Sequence, residues 1–380
     1  MRFNPLFQTS ILNLIFSLLV PFVSYTNELK YIFKSGSEGY NTFRIPSIIT
    51  TDSGVVLAFA EGRKNSSSDS GDIDLVLKRS IDGGKTWSDL IIIRDDSTNV
   101  CGNPSPVIDR KTGKIFLLST WNRGDDTESE IINMTSVDTR RVYVMNSIDE
   151  GLSWSKPIEI TDKVKKLNWT WYATGPVHGI QIREGSKKGR MIIPCDHIEA
   201  NTKKYYSHII YSDDGGSSWN IGGITPQDQV NECSVAEIGK GKLILNMRNY
   251  DRTQMNRKIS ISNDYGESWG DIYDDKALVE PICQASILRY SFKGSGRNDL
   301  LFINPADKNK RLNMTLRLSN DLGRTWTREF LLHEGPSAYS DITKLRNGNV
   351  GCLFEAGKNS PYEGIVYLSL IHISEPTRPY

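Results

Sequence analysis

The sequence predicts an all-β chain folded as a six-bladed β-propeller with four-stranded antiparallel blades. Three observations carry that expectation. An eight-residue pattern, S-x-D-x-G-x-[ST]-W, occurs five times: SIDGGKTW (Ser80–Trp87), SIDEGLSW (Ser147–Trp154), SDDGGSSW (Ser212–Trp219), SNDYGESW (Ser262–Trp269) and SNDLGRTW (Ser319–Trp326). Counted from their first serines, the copies start 67, 65, 50 and 57 residues apart. A period of about 60 residues suits a blade of several short strands. Finally, short runs rich in β-branched residues recur between Gly, Asn, Asp and Pro signals, and no amphipathic helix exceeds about two turns. At about 60 residues per unit, the chain beyond its leader holds about six.

The N-terminus reads as a secretory leader, with Arg2, an apolar run from Ile11 to Val23, and then small polar residues. Ser24 and Thr26 suit the two recognition positions of a cleavage site, so the mature chain is expected to begin at Asn27. The apolar run contains Asn13 and Pro21 and is too short to span a bilayer, so a secreted or luminal product is expected. Residues 1–26 are thus a signal peptide and residues 27–370 a single propeller domain.

Strand signals follow in order. SIIT, VVLAFA and IDLVLKRS precede the first box, IFLLST and RVYVMNS the second, MIIPC and HIIYS the third. KLILNMR and KISISN precede the fourth, DLLFIN and NMTLRLS the fifth, and GNVGCLFEA and GIVYLSL come after it. Met134–Thr139 and Thr161–Lys166 read as loops or single helical turns. In each box the Asp accepts turn N–H groups, the Gly takes a positive φ, and the Trp packs on the adjoining strands. After GIVYLS one more strand is needed to complete a blade, and the ending SLIHISEPTRPY, with Pro376 and Pro379, does not supply it. Residues 371–380 are set aside as a non-native tail.

Composition narrows the function. With 46 Lys and Arg against 45 Asp and Glu, the net charge is +1, which favours neither nucleic acid nor an anionic membrane surface. Five cysteines lack CxxC or metal-ligand spacing and are expected as buried free thiols. No metal or other cofactor is expected, and a monomer is.

Five such boxes at this spacing resemble the Asp-box repeats of sialidases, whose catalytic domain is a six-bladed propeller. Motifs between the boxes extend the resemblance from Phe43 to Glu355 in family order. Phe43-Arg44-Ile45-Pro46 is similar to the family's F-R-I-P motif, which makes Arg44 the first of three substrate-binding arginines. Asp69, in a Ser/Asn/Gly-rich loop after Arg63, matches the general acid, and Arg63 lines the site; Asp72 and Asp74 compete but begin a strand. In NECSVAEIGKGKLILNMRNY, Glu232 matches the catalytic glutamate and Arg248 the second arginine; Glu237, at an expected hairpin, reads as solvated. In NPADKNKRLNMTLRLS, Arg311 fits the third arginine better than Arg317. Tyr339 in SAYSDI matches the catalytic tyrosine, and Glu355 in GCLFEAG the carboxylate that orients Arg44. Asn103 stands where relatives often carry an Asp that touches the sugar. Trp121, Asp126 and His178 are candidates for pocket lining or for ordinary loop and core positions.

The resemblance implies a retaining exo-α-sialidase that acts on terminal sialic acids of sialylated glycans through a covalent sialyl-tyrosine. Three guanidiniums suit a substrate that carries a carboxylate on its anomeric carbon. That carboxylate would repel an anionic nucleophile. A neutral tyrosine with a carboxylate base avoids the repulsion, as in the sialidase departure from paired-carboxylate glycosidases. Two alternatives remain open at the level of sequence, a trans-sialidase and a non-catalytic sialic-acid-binding lectin.

Overall fold

A computed structural model describes residues 29–291 and 298–370. The leader, residues 1–26, and the C-terminal tail, residues 371–380, lie outside the described residues. Apart from one 17-residue strand, Arg328–Lys344, the strands are short, and the two helices span only six and four residues, as expected from the spacing of breakers.

The first strand, β1 (Tyr31–Lys34), stands apart from its neighbours in sequence. The first blade unit is β2 (Thr42–Thr50), β3 (Val56–Arg63), β4 (Ile73–Ser80) and β5 (Ile91–Arg94). The second is β6 (Val100–Ile108), β7 (Ile115–Asn122), β8 (Arg141–Ser147) and β9 (Ile158–Glu159), with α1 (Glu128–Asn133) inserted before β8. Helix α2 (Thr161–Val164) leads into the third, comprising β10 (Trp169–Thr174), β11 (Ile180–Gln181), β12 (Met191–Glu199), β13 (Tyr205–Ser212) and β14 (Asn220–Ile224). The fourth is β15 (Val230–Gly239), β16 (Lys242–Asn249), β17 (Asn256–Ser262) and β18 (Tyr273–Val279). The fifth takes β19 (Ser286–Arg289), β20 (Leu300–Pro305), β21 (Leu312–Ser319) and the first half of β22 (Arg328–Lys344). The second half of β22 starts the sixth, followed by β23 (Val350–Ala356) and β24 (Gly364–Leu370).

The strand missing from the last unit comes from the other end of the chain. β1 pairs antiparallel with β24, Phe33 opposite Ile365. The sequence pointed to a deficit after GIVYLS and looked downstream for the strand; the structure supplies it from upstream.

The core is divided among the contacts between units. Six apolar clusters each fill the space between one unit and the next, such as Leu57, Phe59 and Leu75 against Cys101, Ile115 and Leu117. One of them joins the last unit to the first, through Phe33, Leu353 and Ile365 against Phe43, Ile48 and Val56. All five cysteines are free and buried. Among the described residues no helix is long and apolar enough to cross a membrane.

Each box builds the same corner. In the third, the Ser212 hydroxyl donates to Asp214 Oδ1 at 2.8 Å and accepts from Gly216 N at 2.9 Å, while Asp214 also accepts from Ser218 N and Oγ at 2.9 and 2.6 Å. Gly216 sits at φ +84°, and a Cβ there would lie 2.2 Å from the Phe116 ring in the neighbouring unit. Glycine is therefore required twice over, by conformation and by space. Burial is the largest single influence and works against the charge of Asp214, but the bonds from Ser218 and Ser212 together outweigh it and hold the carboxyl below the usual aspartate range. Asp214→Ala is expected to lower stability by about 1–3 kcal/mol in denaturant titrations while leaving KM of the folded protein unchanged. Because the folded carboxyl is depressed, its contribution is present above the unfolded pKa and lost as pH falls through the lower folded one. A variant with unaltered stability and a raised KM would refute this scaffold role.

The innermost strands β2, β6, β10, β15, β19 and the second half of β22 surround a central axis, stitched there by a buried carboxylate. Asp341 accepts bonds from Ser47 Oγ, Ile48 N, His178 N and Nδ1, Ser286 Oγ and Ile342 N, which join four of the six units. His178 therefore belongs to this axial network and does not line the arginine-rich mouth.

Candidate active site

The inner strands are irregular at one common level. Register shifts interrupt β2 between Arg44 and Ser47, β6 between Gly102 and Ser105, and β15 between Val230 and Cys233. Another falls in β22 between Ser337 and Ser340. Three of them bracket a residue of interest, Asn103, Glu232 and Tyr339, and the one in β2 begins at Arg44. A bulge turns a side chain that would lie against a neighbouring blade toward the axis. Ile45 and Asn103 carry this as left-handed backbone, at φ 61° and 52°. For a β-branched residue such as Ile45 that conformation persists only when its surroundings enforce it, and the Ile45 N–H donates to Glu355 Oε1 at 2.9 Å.

These residues converge on a cavity of about 390 Å³ at one end of the axis. Glu355 is fully buried and ties two strands together. It accepts from Arg44 Nε at 3.1 Å and Nη2 at 3.4 Å, and from the Tyr339 N–H at 3.1 Å. Burial opposes the charge of Arg44, yet Glu355 and the phenols of Tyr362 and Tyr339 hold its pKa well above the usual value. Its guanidinium lies 4.4 Å from the Tyr362 ring and 5.0 Å from that of Tyr339.

The Tyr339 hydroxyl lies 2.7 and 3.0 Å from the two Glu232 oxygens. Arg248 Nη1 bridges them, 2.5 Å from Glu232 Oε2 and 3.1 Å from the phenol. Burial and then the Glu232 charge push the Tyr339 pKa well above normal, against the pull of Arg248, Arg311 and Arg44. The resting phenol is therefore neutral. Arg311 completes the group, with Nη1 donating to the Tyr362 hydroxyl at 2.8 Å and Nη2 to the Ile282 carbonyl at 3.2 Å.

Asp69 stands at the mouth, its side chain 60% exposed, 2.7 Å from Arg63 Nη2 and 3.5 Å from Arg44 Nη1. Burial among its neighbours raises its pKa, but Arg63 and Arg44 outweigh this and hold the carboxyl below the usual range. Arg63 is itself fixed by a two-pronged pair with Glu61 and by the carbonyls of Ser67 and Ser68, so it also shapes the loop that carries Asp69.

The rivals lie elsewhere. Asp74 is buried, bonded to the Tyr40 hydroxyl at 2.6 Å and paired with Lys64. Arg317 pairs with Glu329 and Asn304. Glu237, expected to be solvated, is buried instead, because its two oxygens accept the N–H groups of Arg183 and Glu184 from the preceding unit. Trp121 donates its indole N–H to Asp96, and Asp126 accepts the backbone N–H groups of Val137 and Asp138.

The cavity wall also holds residues that sequence reading missed. Glu61 lies two positions from Arg63 on β3 and so shares its strand face, a period-two signal, and Tyr250 stands two positions after Arg248, just past the end of β16. Arg140 reaches in from the segment before β8, bonded to Asn122 Oδ1 at 2.7 Å and to Asn103 Oδ1, with its guanidinium 3.9 Å from the Trp171 ring. Asp196 is fully buried in this wall, and neither carboxyl oxygen has a protein partner among the described residues. Burial, then Glu232 and Glu128, push its pKa well above the usual range, so it is a neutral acid facing polar space. Among the described residues no cluster of three or more His, Cys, Asp or Glu is placed to hold a metal ion.

Comparison with known proteins gives consistent results. A BNR repeat-like domain matches residues 54–352. The chain is 32% identical over 341 residues to a sialidase of Bacteroides fragilis, a match covering 85% of this chain and 61% of that protein. It is 30% identical over 363 residues to an exo-alpha-sialidase of Aspergillus fumigatus, covering 87% and 84%. Among solved structures, the Hadza microbial sialidase Hz136 superimposes with a TM-score of 0.79 at 29% identity, covering 90% of this chain and 68% of that one.

Proposed function

Because the chain belongs to the sialidase family, we propose that it is a retaining exo-α-sialidase that removes terminal sialic acids from sialylated glycans, with residues 27–370 as its catalytic domain. The observation that carries this reading is the 2.7 Å bond between the Tyr339 hydroxyl and Glu232 beside three inward-facing guanidiniums. In this reading Arg44, Arg248 and Arg311 grip the substrate carboxylate. Their forks bring the anomeric carbon over the tyrosine oxygen.

Tyr339 then attacks as its proton passes to Glu232, and Asp69 protonates the departing glycosidic oxygen. A sialyl-tyrosine forms, and water releases the sugar with Asp69 now acting as base. The depressed pKa of Asp69 belongs to the empty site. A bound carboxylate draws on the same Arg44 charge, and the sugar excludes water, so both changes return the proton that the acid role needs. Glu355 fixes Arg44 and the Tyr339 backbone and touches no reacting atom.

A fluorogenic sialoside assay with and without lactose tests the reading. Release of free sialic acid, unchanged by lactose, is the expected outcome. Sialyl-lactose as the main product would make the chain a trans-sialidase, and binding without turnover a lectin. The arginine assignment has its own test. Arg311→Lys should cost about 2–5 kcal/mol in kcat/KM, because a point charge does not replace the two-pronged contact. Arg317→Lys should leave KM unchanged. Equal effects would mean that the wrong arginine has been assigned.

A further inference from the structure

A second cavity, of about 350 Å³, opens at the far end of the same axis. The inner strands run from one to the other. Within β2 the chain passes from Arg44 at the catalytic mouth to Ile48, Ile49 and Thr50 here, and within β22 from Tyr339 to Lys344. The rim continues to Arg346, just past the end of β22. At about 3.3 Å per residue the two sites are separated by roughly 15–20 Å.

Among the described residues, five cationic side chains line this cavity, including Arg110, Arg183, Lys344 and Arg346, against two carboxylates, Asp52 and Glu237. Both carboxylates are engaged. Asp52 pairs with Arg110 at 3.0 Å, and Glu237 accepts two backbone N–H groups. The cations burden one another. Burial and then the charge of Arg110 bring the Arg183 pKa down to about 10, and burial and then Arg183 lower that of Lys344. Lys344 and Arg346 donate to carbonyl oxygens, those of Tyr290 at 3.0 Å and Ser53 at 2.9 Å, and Lys344 also lies 4.5 Å from the Tyr290 ring. Neither forms an ion pair among the described residues, and both residues are exposed.

A second feature points to a ligand and to its kind. His178 lines this cavity and is 5% exposed. Its Nδ1 lies 2.6 Å from Asp341 Oδ1, within a carboxylate that accepts bonds from every side, so Nδ1 carries the ring proton. Nε2 is buried with no protein partner among the described residues. In the neutral ring it is an acceptor. A group that is anionic toward the rim and still offers an O–H toward the floor satisfies both features.

We propose that this axial cavity binds inorganic phosphate, with Lys344, Arg346 and Arg183 meeting its charge and His178 Nε2 accepting its remaining proton. Inorganic phosphate keeps at least one O–H at neutral pH. Sulfate keeps none, and a phosphomonoester, whose second proton is lost near pH 6, keeps little. The site therefore ranks phosphate above both.

Isothermal titration at pH 7.5 and constant ionic strength tests this with sodium phosphate, sodium sulfate and glycerol 3-phosphate. Two double variants separate this cavity from the catalytic arginines, which also attract anions. The expected result is saturable phosphate binding that Lys344→Gln/Arg346→Gln weakens at least tenfold with sialoside turnover unchanged. Arg248→Gln/Arg311→Gln should retain it, and sulfate and the ester should bind at least several-fold more weakly. Absence of saturable binding overturns the proposal. So does binding lost only in Arg248→Gln/Arg311→Gln, and sulfate binding as tightly as phosphate removes the role given to His178.

Discussion

Tyr339→Phe is expected to abolish covalent labelling by a fluorinated sialic acid and to reduce turnover by a factor on the order of 10³ or more. The reason lies in the environment of the phenol. It is buried, neutral and 2.7 Å from Glu232, so the nucleophile is generated only as its proton leaves. In the wild type, a fluorinated sugar that forms the intermediate but hydrolyses slowly should place its adduct on the peptide containing Ser337–Asp341. The released sugar should keep its anomeric configuration, because two inversions cancel. Glu232→Gln should slow adduct formation without removing it. An inverted product, or an adduct on another residue, would refute the assignment of Tyr339 and leave the arginine cluster intact.

Asp69→Ala should be nearly as damaging, but selectively. For alkyl sialosides and natural glycans, whose leaving oxygens need a proton, losses of about 10²–10⁴ in kcat/KM are expected. Aryl sialosides, whose phenols depart with little help, should lose far less. The pH profile adds a second signature. kcat/KM reports the free enzyme, where Arg63 and Arg44 hold Asp69 below the usual aspartate range. The protonated fraction therefore shrinks as pH rises through the acid range, and kcat/KM for alkyl substrates should fall with it. In Asp69→Ala that fall should vanish. Equal losses for both substrate classes would show that Asp69 does something other than protonate the leaving group.

The scaffold was more legible than the site walls, for physical reasons. A box is local, since Ser, Asp, Gly and Trp bond within eight residues, so its pattern survives in one dimension. Arg44 and Arg311 were findable because their motifs sit beside proline or turn residues. The bulges that aim Arg44, Asn103, Glu232 and Tyr339 were not legible, because a bulge is a mismatch between two strands and only one is visible at a time. Glu237 misled for a related reason. Its hairpin position suggested solvent, whereas its partners, the N–H groups of Arg183 and Glu184, come from another unit. Asp196 resembled any strand residue until its lack of partners among the described residues became visible.

The pairing of β1 with β24 bears on how the chain is made. Tyr31 bonds to Glu363 across 332 residues of sequence, so an early strand completes a sheet whose other described strands are made about 300 residues later. At roughly 5–20 residues per second, Tyr31–Lys34 waits tens of seconds for its partner. During synthesis the first five units can pack on one another in succession, and Phe33 can meet Phe43 of the first unit, but its contacts with Leu353 and Ile365 must wait for the sixth. Until then the nascent molecule is an open arc with an unpaired edge at one end and a waiting apolar strand at the other. The β1–β24 pairing joins residues far apart in sequence, the kind of contact whose loop-closure cost slows folding. Until it forms, the edge of β24 is open to pairing with any other strand.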